Sequence, residues 1–88
     1  MTDRGNGGTL GGMKRYADKS GDSGISAYEL QEDAIVVKFK HGGIYRYDAE
    51  TPGRRHVAAM KMLAAAGEGL ATYINQHVRE DYSEKLAD

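Results

Sequence analysis

The stretch AIVVKFKHGGIYRYD, residues 34 to 48, constrains the fold more than any other part of the chain. Ile35, Val37 and Phe39 alternate with Val36, Lys38 and Lys40, the period of a strand with one buried face. Glycines follow, and Ile44 to Asp48 resume as a returning strand. A three-residue loop, His41-Gly42-Gly43, sets Lys40 opposite Ile44, Phe39 opposite Tyr45 and Val37 opposite Tyr47. Directly opposed residues share a face. One face then carries Ile35, Val37, Phe39, Tyr45 and Tyr47, and the other carries Val36, Lys38, Lys40, Ile44 and Arg46. A two-residue loop would set Phe39 with Ile44 and leave the tyrosines among the lysines. The three-residue loop is preferred because it separates aromatic from basic side chains.

An earlier strand is expected from Ile25 to Leu30, with a turn at Gln31-Glu32-Asp33. Beyond the hairpin, Thr51 reads as a helix N-cap and Pro52 as a residue of the first turn. That helix runs to about Ala66 on a stripe of Val57, Met60, Leu63 and Ala64, with Met60 and Met62 as core filling. Gly67-Glu68-Gly69 ends it. A second helix is expected from about Leu70 to Tyr82, with His77 on its apolar side, and the closing SEKLAD should fray. The fold class is α+β: a three-stranded antiparallel sheet with two C-terminal helices on one face, in the order β-β-β-α-α.

Residues 1 to 14 hold five glycines and almost nothing apolar, which predicts a disordered tail before one domain spanning residues 15 to 88. Eighty-eight residues without cysteine bury only a small core and gain no disulfide. Without an apolar leader or a membrane-length run, the expected setting is cytoplasmic and soluble. A net charge of −1 means that any nucleic-acid contact must come from a local patch.

Gly21-Asp22-Ser23-Gly24 resembles the surroundings of a serine-protease nucleophile, but no histidine precedes Ser23. The expectation is a turn: Asp22 and Ser23 favour side-chain-to-backbone hydrogen bonds, and the two glycines accept positive φ. His41, His56 and His77 lack metal-ligand spacing, so no metal, cofactor or catalytic residue is assigned. Arg54 and Arg55 stand at the end of a helix that disfavours cations, which points to Asp48 and Glu50 as partners or to a bound anion.

Ten residues from Phe39 onward follow a recognisable pattern: Phe39, Gly42, Tyr45, Tyr47, Gly69, Tyr73, Asn75, Val78, Arg79 and Tyr82. Their order resembles that of the KTSC domain family over about residues 25 to 82, with a longer Gly69–Tyr73 spacing in the second helix than that family has. Thr51-Pro52-Gly53 departs from that family's usual Val-Pro. The resemblance implies a small α+β domain, found alone or at the end of some lysyl-tRNA synthetases, and no established chemistry.

The leading expectation is a non-enzymatic protein-interaction module, with homodimerisation as one form of it. The alternative is an RNA- or single-strand-binding module that uses Lys38, Lys40 and Arg46, with Arg54 and Arg55 as further contacts.

Overall fold

The computed structural model describes residues 13–19, 21 and 23–87. Five strands form one antiparallel sheet in chain order: β1 (Lys14–Arg15), β2 (Ile25–Gln31), β3 (Ala34–Phe39), β4 (Gly43–Asp48) and β5 (Glu84–Ala87). Helix α1 (Arg54–Ala66) and α2 (Leu70–Tyr73) lie between β4 and β5, and α2 continues as a π-helical turn over Ile74–Val78. The α+β class and the antiparallel sheet are as expected, but the sheet has five strands where three were expected.

The hairpin keeps the expected faces and changes the register. Val37 pairs with Tyr45 and Ile35 with Tyr47, so the three loop residues are Lys40-His41-Gly42. This is a slip of two residues from the expected pairing. A two-residue slip preserves which face each side chain takes. Tyr47 is therefore buried at 1% exposure, as the preferred loop implied.

Helix α1 lays Val57, Met60 and Ala64 on that face, and Leu70, Ile74 and Val78 continue the core. Met62, expected as core filling, is 74% exposed, because it sits two residues from Met60 on the opposite side of α1. The Lys61 ammonium donates to the backbone carbonyls of Gln31 and Glu32, which ties α1 to the β2–β3 turn.

Thr51 does not cap α1. Gly53 stands at the N-cap, and the Thr51–Pro52 peptide bond is cis. The reason lies in Asp48. Its Oδ1 accepts the backbone N–H groups of Glu50 and Thr51 at 3.0 Å each, and its carbonyl accepts from Gly53. The turn after β4 thus uses the groups that an earlier helix start would need.

Asp48 also supports an expected pH effect. The Thr51 N–H above all, joined by the Glu50 N–H, Ser83 and the Arg46 charge, holds its carboxyl below the ordinary 3.8 against the opposing effect of burial. A lowered folded-state pKa contributes stability above the unfolded value, and that contribution disappears as pH falls through the folded value. Asp48→Asn should therefore shrink the loss of stability between about pH 7 and about pH 3, read from urea midpoints at both. An unchanged pH dependence would contradict this assignment.

The N-terminal segment joins the fold earlier than expected. Residues 1–12 of the expected tail lie outside the described residues, but Lys14 pairs with Tyr28 in the sheet. Tyr16 is buried, donates its N–H to the Ser26 carbonyl, and accepts the Leu70 N–H on its hydroxyl, one of the free donors at the start of α2. The expected turn before Ile25 is present in its described part. Ser23 Oγ accepts the Ile25 N–H at 3.2 Å, and Gly21 has φ 83°. Asp22 lies outside the described residues.

Within the closing segment, expected to fray, Glu84–Ala87 form strand β5. Ser83 donates its N–H to the Arg46 carbonyl at 2.7 Å, and β5 then pairs with β4. No helix among the described residues is long and apolar enough to cross a membrane.

Candidate binding cleft

Between the β3–β4 hairpin and the π-helical turn lies an open cleft of about 580 Å³. The sequence builds it in three steps. Strand alternation puts Phe39, Tyr45 and Tyr47 on the helix-facing side of the sheet. The π-helical turn places Ile74 inward, and Asn75 and Arg79 at the rim. The return of the chain into β5 brings Tyr82 across β4. Its ring centroid lies 4.6 Å from Tyr45 and 6.4 Å from Tyr47. Phe39 stands edge-on to Tyr45 at 5.7 Å. Tyr47 and Ile74 are buried and make the floor, whereas Phe39, Tyr45 and Tyr82 are half-buried walls with ring surface left for a partner. Burial, above all, raises the Tyr47 hydroxyl pKa well above its ordinary value, so the floor stays neutral.

The rim is polar. Arg79, Asn75, Glu80 and His41 are all exposed there, and none of their side chains makes a hydrogen bond or ion pair among the described residues. Gly24 and Gly42 complete the lip. An aromatic floor with a few unpaired polar groups around it is the ordinary form of a ligand site.

Of the ten residues that carry the family resemblance, Phe39, Gly42, Tyr45, Tyr47, Asn75, Arg79 and Tyr82 line this cleft. Tyr73 does not. Its hydroxyl shares a 2.7 Å hydrogen bond with His56 Nδ1, and its ring lies 4.5 Å from that of His77. His77 is exposed and not core-facing. The wider turn after Tyr73 keeps Ile74 and Val78 inward and rotates His77 out. His41 and Glu80 were not singled out as binding residues in the sequence. A hairpin tip and a helix end carry no burial pattern that would mark them.

Two of the three expected cations are already paired, although Lys38 and Lys40 line one hollow at the hairpin. Arg46 pairs with Asp48 at 2.8 Å and donates through Nε to Gln31. Lys40 lies in the hairpin loop, and its ammonium pairs with Asp18 at 3.1 Å. Partial burial opposes ionisation of Asp18, but the Lys40 ammonium and the Ser23 N–H together hold its carboxyl below the ordinary range. Lys38 is exposed, with Glu29 on the same sheet face one strand away. Arg54 and Arg55 are exposed and pair with neither Asp48 nor Glu50, because Asp48 is held by Arg46 and the turn.

No protein-family model matches the chain, and neither a curated protein nor a solved structure matches it. Among the described residues, no group of three or more His, Asp or Glu side chains converges on a metal position.

Proposed function

We propose that this chain is a non-enzymatic module that docks a segment of a partner protein in the aromatic cleft. The observation that carries the reading is the set of three half-buried rings, Phe39, Tyr45 and Tyr82, beneath an unpaired polar rim. Partly exposed aromatic side chains in a concave site are the usual anchors of protein recognition. Kinship with the KTSC family belongs to the same proposal, and the shared position of seven pattern residues around one cleft supports it.

The nucleic-acid alternative needs cations beside exposed aromatics. Here Lys38 and Arg46 lie on the sheet face opposite the half-buried rings, and Lys40 and Arg46 are already paired. Beside the rings stand Arg79 at the rim and Lys85, 5.6 Å from the Tyr45 ring, with Glu80 on the same rim, too few cations for a run of phosphates. Self-association through a sheet edge has little to work with. The edge strands β1 and β5 have two and four residues and carry Lys14, Arg15, Glu84 and Lys85. The partner is therefore read as a different protein.

Panning a random-peptide display library against the chain should enrich sequences that no longer bind Asn75→Trp, in which an indole fills the cleft from its exposed rim. Enriched peptides that bind both forms equally contradict the reading.

A further inference from the structure

We propose that the cleft recognises a peptide segment in which an apolar or aromatic side chain stands beside a carboxylate, with Arg79 receiving the carboxylate. The inference rests on the docking function above and names the chemistry of the partner.

Arg79 is exposed at the rim and makes no ion pair among the described residues, unlike Arg46 and Lys40. A guanidinium offers a planar fork of donors that matches a carboxylate, and such a charge-assisted pair is stronger than a neutral hydrogen bond. Asn75 lies four residues earlier, so it shares a side of the turn with Arg79 and adds an amide donor. His41 adds an imidazole from the hairpin loop. Below them, Tyr45 and Tyr82 leave ring surface for an apolar or aromatic side chain. Gly42 lines the lip without a side chain, which lets a partner backbone approach closely.

The sign and number of charges favour one carboxylate over a chain of phosphates. Among the described residues Arg79 is the only arginine or lysine that lines the cleft, Lys85 stands over the Tyr45 ring at 5.6 Å, and Glu80 lies on the same rim. Asp81 and Glu84 follow, both exposed. A phosphate backbone gains affinity by neutralising several charges in a row. It would meet these carboxylates instead. A single carboxylate needs only Arg79.

The test is a chemical-shift titration of the full, nitrogen-labelled chain with three probes: acetyl-Phe-Glu-amide, acetyl-Phe-Gln-amide and adenosine monophosphate. The Glu peptide should shift the amides of Phe39, Gly42, Tyr45 and Arg79, and bind about tenfold or more tighter than the Gln peptide. That preference should vanish in Arg79→Gln, whose exposed position leaves the remaining spectrum unchanged. Equal binding of the two peptides overturns the carboxylate inference and leaves the docking function standing. Binding of the nucleotide alone, or of none of the three, overturns the docking function itself.

Discussion

Replacing Met60 with alanine is expected to lower the free energy of unfolding by about 2–5 kcal/mol. Met60 is 0% exposed, lies between Val57 and Ala64 on the buried stripe of α1, and belongs to one core cluster with Ile35, Val37 and Tyr47. Truncation removes apolar contact and leaves a cavity that the sheet cannot close, because its backbone is fixed by pairing on both sides of β3. At about 0.05–0.15 kcal/mol per residue, a chain of this size has roughly 4–13 kcal/mol in total, so the loss is a large share of it. Met62→Ala is the internal control. Met62 is 74% exposed, and its truncation should change stability by less than about 0.5 kcal/mol. Urea unfolding followed by far-ultraviolet circular dichroism measures both. Equal losses for the two methionines would contradict the placement of α1 on the sheet.

Gly67→Ala should also be costly, by about 2–5 kcal/mol. Gly67 ends α1 with φ 80°, and its N–H bonds to the carbonyls of Leu63 and Ala64. A methyl group here would stand 2.5 Å from the Ala17 Cβ. Ala17 cannot swing away, since its side chain is a single carbon on a backbone held at both ends. Tyr16 bonds to Ser26 on one side, and the Lys19 N–H bonds to the Gly67 carbonyl at 2.7 Å on the other. The comparison is Gly21→Ala, at a similar φ of 83° but with nothing within 4 Å of the added carbon among the described residues. Its cost should be the backbone term alone, about 1–2 kcal/mol. The difference between the two variants measures the packing of the N-terminal segment against the end of α1. Equal costs in urea unfolding would mean that the segment yields freely.

The parts of the fold that were legible are those in which a local pattern reports burial. Alternation in Ile35 to Phe39 and in Tyr45 to Tyr47 assigned the faces, and Gly67 marked the end of α1. Register was not legible to the residue. A loop of His41-Gly42-Gly43 and one of Lys40-His41-Gly42 give the same faces, and only the faces affect burial. Strand β5 was missed because Glu84 to Ala87 are all exposed and show no alternation. Its pairing follows from Tyr82 packing on Tyr45 and from Ser83 bonding to Arg46, contacts between residues 37 positions apart in the chain. The helix before it was read as continuous α, which turned His77 inward. The π-helical turn, set by packing of Ile74 and Val78, reversed that.

The candidate site was half legible for the same reason. Phe39, Tyr45, Asn75, Arg79 and Tyr82 stood out as a pattern of letters, but their convergence depends on β5 and on the π-helical turn. The basic residues were legible as letters and misleading as a surface. Nothing near Lys40 in the sequence pairs it with Asp18, 22 residues earlier. Arg46 and Asp48 lie two apart on one strand and so share a face, a spacing that could have marked the pair in advance.

The proposed functional surface is the aromatic cleft and not the opposite face of the sheet. Intermolecular nuclear Overhauser contacts between the full chain and a display-enriched peptide test it most directly. Contacts from the peptide to the rings of Phe39, Tyr45 and Tyr82 are expected. Contacts to Lys38, Arg46 and Glu29 on the far side of the sheet, with none to those rings, would contradict it.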